Sequence, residues 1–180
     1  MRRPLAGPLR DGLRYASAAP AVGVSLLGSP MSESYWRFVE PIWHTVSIYD
    51  GGEVFLQEFR KATEKQRHLY ATHWAQSEIM NGGLGQFFSN STGVLAPEAV
   101  EGFKAIGMPN CASSLLGAME LFGNEYPRDR DTRDQLLEDF FDKYGDEENP
   151  MDVYEVAIAE ELEEESGGFE VAANNYANQG

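Results

Sequence analysis

From Met31 onward the apolar residues recur at three-and-four spacing, and no run alternates with period two over a useful length. That pattern specifies amphipathic helices and leaves no place for a sheet of any size. In "SESYWRFVEPIWHTVSIY" the residues Tyr35, Phe38, Val39, Ile42, Trp43 and Val46 fall on one face, with Pro41 placed to kink or divide the helix. "GGEVFLQEFRKA" repeats the pattern through Phe55, Leu56 and Phe59. Thr63 is positioned to cap "EKQRHLYATHWAQSEIM", where Leu69, Tyr70, His73, Trp74 and Ser77 share a face. The helix stops at Asn81-Gly82-Gly83, because glycine admits the left-handed conformations that end helices.

Further along, Pro97 and Gly107 mark the start and end of another helix, the usual asymmetry of helix termini. "MPNCASSLLGAMELFG" follows in the same style. "DTRDQLLEDFFDKYG" is read with Leu136, Leu137, Phe140, Phe141 and Tyr144 inward and its acids outward. Asn149 as cap, Pro150 at the first helical position and Asp152 in the first turn announce one more helix. The expected fold is a single all-α domain of about six to eight helices over residues 31–166. Residues 167–180, "GGFEVAANNYANQG", read as a frayed polar tail.

Residues 1–30 differ from the rest: Arg2, Arg3, Arg10 and Arg14 stand against Asp11 alone. Two readings apply, a targeting segment or an upstream extension without structure of its own. The second is preferred, because Pro20 and Gly23 interrupt an apolar region that is already weak. No stretch approaches the ~18 to 20 apolar residues of a membrane span. The formal net charge is −15, and with the basic segment set aside the body carries −18. Such a surface repels nucleic acid and membrane phosphates and attracts basic partners. The single cysteine, Cys111, excludes an internal disulfide and fits a reducing, cytoplasmic setting. Its expected role is that of a small buried residue.

"SEIMNGGLGQFFSN" draws attention as a candidate loop for chemistry. Phe88 stands where a dinucleotide fingerprint needs its last glycine, and no strand precedes it. A structural corner accounts for the whole motif: Gly82 and Gly83 stop one helix, Phe87 and Phe88 anchor the next, and Gln86 and Asn90 bond backbone at the turn. The rival is a small-molecule site or an enzyme using Glu78, Asn81, Gln86 and Asn90 as a polar pocket. His68 and His73 are five apart, whereas zinc-binding pairs on one helix are four apart, so no metal and no cofactor is expected. His73, on the apolar face, reads as a core histidine.

Between Glu120 and Glu170 nineteen acids face four basic residues. "EELEEE" carries carboxylates at a linear density close to that of duplex phosphates, ~1.5 Å per residue against ~1.7 Å per charge. Val153, Tyr154, Ala157, Ile158 and Leu162 are expected to pin this helix to the core. The expected partner-binding face is Asp142, Asp146, Glu147, Glu148, Glu155, Glu160, Glu161, Glu163, Glu164 and Glu165. A calcium loop is not spelled here.

The passage from Ala62 to Gly107 resembles the core signature of the domain of unknown function 4375 family, and within it the DNA mimic protein 19 group. Gln66, Arg67, Tyr70, Glu78, Asn81-Gly82-Gly83, Gln86-Phe87-Phe88, Asn90, Gly93 and Ile106-Gly107 carry the likeness. Leu84 departs from it, standing where an aromatic is usual. The resemblance implies an all-helical acidic protein, dimeric in its best-studied relative, which mimics duplex DNA and occupies a transcriptional regulator's DNA-binding surface. The signature itself contains few acids, so the mimicry residues rest on this chain's own charge. The expectation is a non-enzymatic protein that binds a basic DNA-binding protein, with neither direct nucleic-acid binding nor membrane attachment.

Overall fold

The computed structural model describes residues 34–43, 47–49, 51–145 and 149–179. The segment 1–30 lies outside them, as do His44, Val46, Asp146, Glu147 and Glu148. The described residues form eight α-helices and no strand: α1 (Trp36–Trp43), α2 (Gly52–Phe59), α3 (Glu64–Ser89), α4 (Ala96–Ala105), α5 (Pro109–Glu120), α6 (Arg130–Tyr144), α7 (Asp152–Glu164) and α8 (Phe169–Asn178). The all-α expectation holds.

The central element is α3, which packs against α1, α4, α6, α7 and α8. Its first half has the buried run Leu69 to Ala75 with no polar side facing water, as a helix surrounded by others requires. It starts on a capping box: the Thr63 hydroxyl accepts from the Gln66 N–H, and the Gln66 side chain accepts from the Thr63 N–H. The approach of α4 depends on Gly102, where a Cβ would stand 2.7 Å from the His68 carbonyl oxygen and from the Thr72 methyl. Pro41 sits in the last turn of α1, which ends at Trp43. The Trp43 ring stacks on Trp74 at 4.6 Å, joining α1 to α3.

Three sequence expectations change. Residues 169–178 are not a tail but α8, whose Phe169, Ala172, Ala173 and Ala177 are buried. Its Asn174 side chain accepts from the Tyr35 N–H at 2.8 Å, and Arg37 donates to the Ala177 carbonyl at 3.0 Å, so α8 closes against the start of α1. In α6, Leu137 is buried as expected, whereas Leu136 and Phe141 are exposed, because the buried stripe runs through Arg133 and Leu137. The start of α7 falls later than predicted: the Asn149 side chain accepts from the Met151 N–H in a turn, and the helix begins at Asp152. Ile158 and Leu162 pin α7 to the core, Tyr154 and Ala157 are half-buried, and Val153 faces outward.

Candidate functional site: a glycine corner and an acidic helix

The Asn-Gly-Gly motif breaks α3 into two halves. Gly82 has φ −155° and ψ 21°, and Gly83 has φ 79° and ψ −179°. The second pair is a region that only glycine occupies without strain. Phe87 and Phe88 are fully buried beyond the break, with Phe88 edge-on to Phe122.

The Glu78 carboxylate bridges the two halves. It accepts from the Gln86 amide at 2.7 Å, from the Asn90 amide at 2.9 Å and from the Thr92 hydroxyl at 3.5 Å. Gln86 and Asn90 were expected to bond backbone groups; they bond Glu78 instead, across the kink at Gly82 and Gly83. Asn81 is exposed and takes no part in this cluster. Three donors on one carboxylate satisfy a group that a half-buried position would otherwise leave poorly solvated.

A second carboxylate closes the same corner from across the fold. Glu155 of α7 accepts from the Leu84 N–H at 2.9 Å, the first free donor of the second half of α3. At the other end of α7, Glu165 accepts from the Asn110 and Cys111 N–H groups at 2.9 and 3.0 Å. Those donors open α5, whose own cap position is Met108 and supplies no side-chain acceptor. Between them, Glu161 accepts from the Ser114 hydroxyl at 2.9 Å, and burial raises its pKa, opposed by that hydrogen bond. Glu155, Glu161 and Glu165 were expected on the partner face. They are turned to α3 and α5, where Glu155 and Glu165 meet helix N-termini that attract negative charge and Glu161 meets a side-chain hydroxyl.

The carboxylates left on the surface are Asp142 at the end of α6 and Glu160, Glu163 and Glu164 on α7. Asp131, Glu138, Asp139 and Asp152 are also exposed in the same two helices. Among the described residues the ion pairs are Lys61–Glu58, Lys104–Glu101, Arg128–Glu98 and Arg130–Asp134, none of them on α7. Among the described residues no ion pair neutralises the α7 carboxylates.

Sequence reading missed Arg133. It is 1% exposed, and its guanidinium donates to the carbonyls of Phe88 at 2.7 Å, Arg128 at 2.7 Å and Asn90 at 3.0 Å. Arg130 donates to the Ser89 carbonyl at 2.7 Å. Together they satisfy the carbonyls at the end of α3 with positive charge, the sign that a helix C-terminus favours. Burial lowers the Arg133 pKa, while Tyr126 and Asp134 work against that shift. The signal was present: 133, 137, 140 and 144 share three-and-four spacing, which places an arginine on an apolar stripe.

The two described histidines, His68 and His73, have structural partners. The Tyr35 hydroxyl lies 3.0 Å from His73 Nδ1, and burial pushes His73 down to about 4. His68 Nδ1 lies 2.8 Å from the Tyr176 hydroxyl of α8. Among the described residues no three His, Cys, Asp or Glu side chains cluster so as to hold a metal ion. Cys111 is fully buried, and desolvation raises its thiol well above the ordinary range. Among the described residues no helix is long and apolar enough to cross a membrane.

No curated protein and no solved structure matches this chain. A family model described as DMP19-like protein matches residues 60–179, which takes in the capping box, the glycine corner, the Arg133 anchor and both ends of α7. With two thirds of its length inside that match, the chain belongs to the DMP19-like family.

Proposed function

We propose that this protein acts by binding and not by catalysis, presenting the outward carboxylates of α6 and α7 to a basic DNA-binding protein in place of duplex DNA. The observation that carries the reading is that Glu160, Glu163 and Glu164 are exposed, and have no ion pair among the described residues, on a helix whose ends are tied down by Glu155 and Glu165. Carboxylates on a fixed helix present their charge without the ordering cost that a mobile tail would meet on binding. The family likeness supports the duplex-mimic form of this reading, and the net charge of −15 supports a basic partner.

The experiment is affinity capture on the immobilised full chain at low salt, followed by elution with duplex DNA. A basic DNA-binding protein should be retained and then displaced, and the triple variant E160Q/E163Q/E164Q should retain much less of it. Binding that ignores salt, or a captured protein that duplex DNA cannot displace, overturns the reading.

A further inference from the structure

The outward side of α7 is not uniformly acidic. At 100° per residue, Asp152, Val153, Val156, Glu160, Glu163 and Glu164 all fall within about one third of the helix circumference. These six are the exposed residues of α7. Val153 is 66% exposed and Val156 59%, one turn apart, ahead of the glutamates. A lone exposed valine needs no explanation. Two adjoining ones in line with unpaired carboxylates make a surface that a phosphate backbone does not have. Glu155, between them in sequence, is turned inward to Leu84, which fixes the helix rotation and holds both valines out.

Resting on the proposed function, we infer that the α7 stripe docks a basic amphipathic helix of the partner. An apolar side chain of that helix packs on Val153 and Val156, and lysine or arginine side chains one and two turns on meet Glu160, Glu163 and Glu164. The complementarity is twofold. Among the described residues the carboxylates have no cation of their own, and the valines have no apolar cover. Apolar contact beside the charges excludes water, so the ion pairs form in a lower dielectric than at an open surface. The three-and-four register of the stripe matches that of an amphipathic helix, the common mode of helix recognition.

The test uses the full chain and two synthetic helical peptides of equal positive charge. One carries lysines with leucines at i and i+4, and the other has serine in place of the leucines. Binding is followed by fluorescence anisotropy between about 0.05 and 0.5 M salt. The leucine peptide should bind at least about tenfold more tightly, with the advantage persisting at high salt. V153S/V156S, or V153A/V156A as a second form, should erase the advantage and leave the serine peptide unaffected. E160Q/E163Q/E164Q should weaken both peptides.

Equal binding of the two peptides, or an advantage that survives loss of both valines, overturns this inference and leaves the proposed function standing. Failure of both peptides to bind at low salt removes the proposed function as well. Sedimentation of the same samples supplies the last arm: a dimer that dissociates in V153S/V156S without peptide would show that a second copy covers the valines, overturning the inference.

Discussion

The Glu155 carboxylate accepts the Leu84 N–H at 2.9 Å, so a residue of α7 supplies the N-terminal acceptor for the second half of α3. This divides an acidic run into inward and outward members that look alike in one dimension. Glu155→Ala should cost about 1 to 2 kcal/mol of stability, the range for losing a helix-capping acceptor. Glu160→Gln should stay within about 0.5 kcal/mol of the parent, as exposed substitutions do. Urea midpoints of the two variants decide the matter, and equal effects would refute the division.

Gly83 permits nothing larger. A Cβ there would stand 2.5 Å from a Glu155 carboxylate oxygen, on a backbone with φ 79°. Gly83→Ala should therefore lose about 3 kcal/mol or more, combining backbone strain with displacement of Glu155. Adding Glu155→Ala should remove the collision and leave the strain, so the double variant should lose less than the two single losses together. Strict additivity in denaturant unfolding would count against this account.

Arg133 predicts a loss that charge alone cannot restore. Arg133→Met leaves the carbonyls of Phe88, Asn90 and Arg128 without their donor in a buried setting, at about 3 kcal/mol or more. Arg133→Lys keeps the charge on a single nitrogen that cannot span three acceptors, and should recover less than half of that loss. Thermal and urea unfolding of the pair measures both values.

His73 makes part of the stability depend on pH, with a definite sign. Its folded-state pKa lies near 4 because burial disfavours the charged ring, below the ordinary value of 6.5. Above 6.5 the ring is neutral in both states and its contribution is whole. As the pH falls from 6.5 to 4 the unfolded chain takes up the proton first, and stability is lost. The full loss is about 3 kcal/mol at 1.36 kcal/mol per unit. His73→Gln keeps an acceptor for Tyr35 and should abolish this component. The parent-minus-variant difference should be flat near neutrality and shrink toward acid, and taking that difference cancels the relief of repulsion among the surface acids.

The helices with strong caps and strong apolar periods were legible. Thr63 with Gln66, and the Gly82-Gly83 break, are local signals that the backbone obeys. What escaped was whatever depends on a distant partner. α8 buries Ala172, Ala173 and Ala177, side chains too small to dominate a hydrophobic pattern, and uses the polar Asn174 to hold Tyr35. Glu165 serves backbone donors 54 and 55 residues away, and the one local hint is a helix opening on Met108-Pro109 with no acceptor of its own. In the glycine corner, sequence brought out Glu78, Gln86 and Asn90 together, but not that both amides donate to Glu78 or that Thr92 joins them. The acidic face was half legible, because composition gives charge and only the fold gives direction.

The corner in α3 has a consequence for the order in which the molecule is built. Its first half carries a capping box and can form early from local contacts. The second half has its opening N–H closed by a residue 71 positions later and its closing carbonyls held by Arg133, 43 and 45 positions later. Those 26 residues are two helical halves joined at a break, brought into register only in the finished protein. During folding the break should divide them into an early segment and a late one, with Gly83 at a seam that sets only when α6 and α7 arrive. The most recognisable stretch of the chain would then be among the last to take its shape.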